Sequence, residues 1–154
     1  TYINTSSSVF LYKRTGSTWA NTTYLFIYNF EIVPAAGQIT ANGNNGTISI
    51  ADLTFGMSVS LDGDNLLIGA SGGLDYPNGG SSYYTDMLGS VYFYKNLSGD
   101  TYTKMQVIKS NYPSAADLFG ESVGISGGKY IIANPHAIAN DKTGAGNVYF
   151  GSVQ

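Results

Sequence analysis

Apolar and polar residues alternate in short runs along most of the chain, and glycine-rich turns separate the runs. Val59 to Leu61 and Leu66 to Ile68 are two such runs, each of strand length rather than helix length. Asp62-Gly63-Asp64 lies between them and is a strong tight-turn signal. Phe55 to Ala70 therefore reads as a two-stranded hairpin. The same grammar returns from Phe119 to Ala133. Ser58 matches Ser122, Val59 matches Val123, Leu61 matches Ile125, Gly63 matches Gly127 and Ile68 matches Ile132, at a constant offset of 64 residues without a gap. A gapless match of this kind is an internal repeat, and it decides the architecture.

The segment after each hairpin repeats too, less exactly. Gly89-Ser90-Val91-Tyr92-Phe93-Tyr94-Lys95 is an aromatic strand with a counterpart in Gly146-Asn147-Val148-Tyr149-Phe150 and a third version in Ser8-Val9-Phe10-Leu11-Tyr12-Lys13. In the third version Val9 and Leu11 fall on one face, Phe10 and Tyr12 on the other. After two of these comes a turn and an outer strand, at Arg14 to Trp19 and at Leu97 to Tyr102. The unit is four strands: hairpin pair, aromatic strand, outer strand. In the full copy, strands are expected near 57–61, 65–70, 89–95 and 102–108. Phe55 and Phe119 should be buried at equivalent places. Trp19 is expected to pack between neighbouring units.

These residues resemble the FG-GAP repeat, the blade unit of integrin-α-like β-propellers. In that family Phe-Gly opens the innermost strand and a Gly-Ala-Pro-like element closes the second. Here those elements are Phe55-Gly56 with Gly69-Ala70-Ser71, and Phe119-Gly120 with Ala133-Asn134-Pro135. The resemblance covers most of residues 1–27 and 53–154. It implies an all-β chain of antiparallel four-stranded blades in an incomplete β-propeller. Residues 1–27 would be the C-terminal half of a blade, 28–54 an insertion or linker, 55–118 a complete blade and 119–154 the N-terminal part of the next. Integrin-type blades often hold calcium on an Asp-x-Asp-x-Asp-Gly loop. A hard cation needs roughly six to eight oxygens, and Asp62-Gly63-Asp64 and Ser126-Gly127-Gly128 are too short to supply them. Ordinary turn chemistry explains both, and no metal is expected there.

Composition narrows the function classes. Of 154 residues, 43% are apolar and 14% aromatic, which argues for a folded chain with a real core. Net charge is −3 and no basic cluster is present, which disfavours nucleic acid as a partner. With no Cys there is neither a disulfide nor thiolate chemistry. No run approaches the roughly 18 apolar residues of a membrane helix. The chain opens at Thr1 without an initiator Met or a signal peptide, as expected of a processed product or a fragment.

Candidate chemistry lies in the loops. Tyr24 to Val33 is a long apolar and aromatic run that reads as an extended outer strand ended by Pro34. The segment from Trp19 to Phe55 is about 20 residues longer than its counterpart from Tyr102 to Phe119. Such an insertion belongs on the surface, where function often sits, or is a plain decorated loop. The stretch from Ser71 to Leu88 is the main site candidate. Tyr76, Tyr83 and Tyr84 offer flat stacking faces and Asp75, Asn78 and Asp86 offer acceptors, a set suited to a sugar or a protein surface. The competing reading is a solvated loop with locally packed aromatics. Its counterpart holds His136, Asn140 and Asp141, and a lone His makes neither a metal site nor a triad. His136 reads as a surface or loop residue. Four sequons, at Asn4, Asn21, Asn45 and Asn96, are glycosylation candidates that fall in expected turns or loops.

No nucleophile elbow, Walker loop or metal triad is present, so the chain is expected not to be an enzyme and to need no cofactor. The expectation is a non-catalytic extracellular or cell-surface propeller segment, acting in adhesion, ligand recognition or as a building block of a surface structure or filament. The alternative is an accessory propeller or carbohydrate-binding module of a secreted hydrolase. A closed propeller has about four to eight blades, and two and a half leave sheet edges unpaired. Either further blades of a larger propeller or further copies of the chain are the expected partners. The larger propeller is favoured because natural propellers seldom split within a blade.

Overall fold

A computed structural model describes residues 8–26, 54–72, 89–111, 117–138, 142 and 144–153. Within these the chain forms nine strands and no helix. They are β1 (Ser8–Thr15), β2 (Thr18–Phe26), β3 (Ser58–Asp62), β4 (Asn65–Ala70), β5 (Ser90–Ser98), β6 (Thr101–Ile108), β7 (Val123–Ser126), β8 (Lys129–Asn134) and β9 (Asn147–Ser152). They make three antiparallel sheets, β1-β2, β3-β4-β5-β6 and β7-β8-β9, each in sequence order. The sheets do not close into a ring.

The expected hairpins form. Asp62 pairs with Asn65 and Ser126 with Lys129, so each hairpin turns on two residues. Gly127 and Gly128 sit at φ 56° and 72°, the paired positive values that a type I′ turn requires and that glycine adopts without steric cost. Backbone bonds recur with the sequence offset. Gly56 N–H donates to Gly69 O and Gly120 N–H to Ala133 O, both at 3.0 Å. Met57 N–H donates to Thr54 O and Glu121 N–H to Leu118 O, at 2.9 and 3.1 Å.

Two apolar clusters fill the spaces between sheets. One joins Phe55, Leu66, Ile68, Ala70, Tyr92 and Tyr94 to Val9, Leu11 and Leu25 of the first sheet. The other joins Leu67, Val91, Phe93 and Ile108 to Phe119, which precedes β7, and to Ile125 and Ile132 of the third. Both faces of β4 and β5 are thus buried, which is why they read as continuous apolar runs rather than alternating ones. Phe55 and Phe119 are buried as expected. Each meets the aromatic strand of its own unit edge-on, Phe55 with Tyr92 at 5.5 Å and Phe119 with Tyr149 at 5.1 Å between ring centroids.

Three expectations are corrected. The outer strand of the first sheet begins at Thr18 and takes in Tyr24 to Phe26, so the Arg14 to Trp19 stretch is mainly turn and strand end. Trp19 is exposed rather than packed between units, because the sheet that carries it covers the second sheet with its opposite face. Asn21 and Asn96 lie within β2 and β5, not in loops.

Candidate functional site at the repeat junctions

The residues singled out as a ligand site, Asp75, Tyr76, Asn78, Tyr83, Tyr84 and Asp86, lie outside the described residues, as do the sequon positions Asn4 and Asn45. Asn140 and Asp141 are outside them as well. His136 is exposed, and its N–H donates to Asp117 O at 3.3 Å. Asn96 commits its amide: Nδ2 donates to Gly99 O at 2.6 Å across the β5-β6 turn. Asn21 is exposed beside the register shift in β1, and its Nδ2 donates to Leu11 O at 3.3 Å.

The chemistry within the described residues concentrates where one unit meets the next. The inner strands β3 and β7 are not paired through their backbones, yet three side chains of β3 reach the backbone in and around β7. Ser58 Oγ donates to Gly120 O at 2.8 Å. Ser60 Oγ accepts the N–H of Ile125 at 3.1 Å, and Asp62 Oδ2 accepts the N–H of Gly127 at 2.6 Å. These three residues point the same way because side chains alternate along a strand. Together they satisfy backbone groups on an edge that would otherwise stand open. The sequence had suggested turn chemistry alone for Asp62; in the structure it also ties its turn to the next unit. Val59 and Leu61 point the other way and stay exposed, since the first sheet covers Leu66 and Ile68 but does not cover β3.

A second junction element is made twice. Gly56 lies at φ 91° over Ser8 and Val9, and Gly120 at φ 89° over Ser90 and Val91. A Cβ on Gly56 would stand 3.0 Å from Val9 Cγ2, and one on Gly120 would stand 2.7 Å from Val91 Cγ2 and 2.8 Å from Ser90 O. Both the left-handed backbone and the closeness require glycine. The glycine of each Phe-Gly pair is thus a contact to the aromatic strand of the preceding unit. Phe119 adds a parallel bridge to Gly89 at the head of that strand.

Further polar links, exposed and buried, accompany these junctions. Lys13 Nζ meets Asp100 Oδ1 at 2.9 Å, an exposed pair of small worth. Ser110 Oγ and Tyr149 Oη are 2.8 Å apart. Between Asp117 and Asn134, both fully buried, Asn134 Nδ2 donates to Asp117 Oδ2 at 3.5 Å while Asn134 Oδ1 has no partner. Tyr102 has its phenol pushed above the ordinary 10.0 by burial first, then by the charges of Asp64 and Asp100. Among the described residues no group of three His, Cys, Asp or Glu is placed to hold a metal ion, and no helix is long and apolar enough to cross a membrane.

Sequence reasoning found the Phe-Gly pairs but missed the three-residue ladder of β3. The available signal was the polar set Ser58, Ser60 and Asp62 at period two, which reads as a solvent face until the next unit is placed beside it.

No curated protein matches the chain. Residues 51–85 match the family model of the FG-GAP repeat. That segment begins just before Phe55-Gly56 and runs through the first hairpin. Residues 51–85 are therefore similar to an FG-GAP repeat, and the next unit along the chain is built on the same plan.

Proposed function

We propose that the chain is a non-catalytic β-propeller segment of an extracellular or cell-surface protein, a rigid building block that holds recognition loops for adhesion. The observation that carries this reading is the junction made twice, Gly56 on Ser8-Val9 and Gly120 on Ser90-Val91. A junction that repeats in the same form is how a stack of sheets grows by addition of like units. The FG-GAP match at 51–85 supports it, since such repeats are typical of extracellular proteins. The connection from β4 to β5 carries Asp75, Tyr76, Asn78, Tyr83, Tyr84 and Asp86, and these are the residues proposed to meet a glycan or protein ligand. Asn4, Asn21, Asn45 and Asn96 are the proposed glycosylation sites; the amides of Asn21 and Asn96 are hydrogen-bonded to Leu11 O and Gly99 O in the folded chain.

Two measurements test this. Antibody to the chain should label intact cells; labelling only after permeabilisation would overturn the extracellular assignment. Beads coated with the chain should adhere to glycan or matrix-protein surfaces, and replacing Tyr83 and Tyr84 by Ala should reduce adhesion. Adhesion no greater than that of uncoated beads would overturn the recognition role.

A further inference from the structure

We infer that a calcium ion binds between Asp117, Asn134 and Asn147, beside the junction of the second and third sheets. Asp117 and Asn134 are both 0% exposed. Asn134 closes β8, and its antiparallel partner Asn147 opens β9. Directly opposed partners carry their side chains on one face. That face also carries Ile132 and Tyr149, which pack toward the second sheet. Asp117 lies two residues before Phe119, whose ring meets Tyr149. Backbone bonds hold the corner together. His136 N–H donates to Asp117 O and Ala137 N–H to Asn134 O, both at 3.3 Å, and Gly146 N–H donates to Ala137 O at 3.0 Å.

The preceding unit fills the same positions with other residues. Leu53 stands 64 residues before Asp117, and Ala70 stands 64 before Asn134. Ser90 pairs with Ala70 as Asn147 pairs with Asn134. Ala70 and Ser90 are both buried. Leu, Ala and Ser in one unit thus become Asp, Asn and Asn in the next. The repeat itself does not require these three residues, and all three changes bring a carboxylate or an amide.

The buried oxygens are poorly served by the protein alone. Asn134 Nδ2 is 3.5 Å from Asp117 Oδ2, at the limit of a hydrogen bond, and Asn134 Oδ1 has no donor among the described residues. A buried carbonyl oxygen without a donor is costly. Turning the amide over would bring Oδ1 to the Asp117 side. A hard cation then satisfies both oxygens and offsets the buried charge, which a water molecule does not. Calcium accepts a carboxylate, amide oxygens and water in a flexible shell, whereas magnesium demands a near-ideal octahedron. One carboxylate makes the affinity weak, with Kd on the order of 1 mM.

Melting midpoints of the metal-free chain test this. Calcium chloride at about 10 mM should raise the midpoint by about 3–5 °C over sodium chloride of equal ionic strength, and magnesium chloride should raise it far less. The double variant Asn134→Ala, Asn147→Ser copies Ala70 and Ser90 of the preceding unit, so it is compatible with the fold. It should lose the calcium gain, and so should the near-isosteric Asp117→Asn, with circular dichroism unchanged in both. Equal midpoints in calcium and sodium overturn the inference and leave the corner to water. An equal gain from magnesium overturns it as charge screening. A calcium gain that survives in both variants overturns it by placing the ion elsewhere. None of these outcomes bears on the extracellular propeller reading, which cell labelling decides.

Discussion

Asp62 Oδ2 accepts the backbone N–H of Gly127 at 2.6 Å, so the turn of one hairpin is tied to the turn of the next. The bond is exposed, and Asp62→Ala is expected to cost about 0.5–1.5 kcal/mol in urea unfolding. Asp62→Asn keeps an oxygen acceptor and should cost less. Hydrogen exchange at the Gly127 amide should quicken in the Ala variant; unchanged exchange there would remove Asp62 from the junction.

The two Phe-Gly glycines should not tolerate alanine equally. Both sit near φ 90°, which costs an L-residue roughly 1–3 kcal/mol. A Cβ on Gly120 adds contacts under 3 Å to Val91 and to the Ser90 backbone, whereas one on Gly56 meets a methyl of Val9 at 3.0 Å and Ser8 O at an ordinary 3.6 Å. Overpacking of that kind adds about 1–3 kcal/mol. Gly120→Ala should therefore lower the melting midpoint more than Gly56→Ala, and the reverse order would contradict the geometry.

Three phenylalanines separate packing from exposure. Phe119 is fully buried between sheets and Phe55 nearly so, and truncating either to Ala should cost about 3–5 kcal/mol. Phe150→Ala at low concentration should stay within about 0.5 kcal/mol of the parent, as exposed substitutions do. Denaturant midpoints of the three variants check this directly.

Alkaline stability should depend on Tyr102. The folded state raises its phenol above the ordinary 10.0, so folding favours the neutral form. That contribution is complete below the ordinary value and is lost as pH climbs through the folded one. Melting midpoints followed from about pH 8 to about pH 11 should fall less steeply in Tyr102→Phe than in the parent. Identical slopes would show that another tyrosine governs the alkaline limb.

Hairpins, turns and the repeat were legible because each rests on local signals: period two, a Gly at a two-residue turn, and a match without gaps. Strands expected at 57–61, 65–70, 89–95 and 102–108 appear at Ser58–Asp62, Asn65–Ala70, Ser90–Ser98 and Thr101–Ile108. The face of β3 that is used was not legible. Hydropathy would bury Val59 and Leu61 and leave Ser58, Ser60 and Asp62 in water. The structure does the opposite, because the neighbour that β3 meets presents backbone groups rather than side chains. Trp19 was misplaced for a related reason: its face is set by which side of β1 carries Val9 and Leu11, not by its own size.

The direction of the glycine contact has a consequence for synthesis. Gly56 rests on Ser8-Val9 and Gly120 on Ser90-Val91, so each docking element comes later in the chain than its seat. A nascent polypeptide leaves the ribosome N-terminus first and folds in that order. Every seat is therefore complete before its occupant has been translated. A growing chain adds one sheet at a time to a finished surface, and each new sheet covers an apolar face of the one before it.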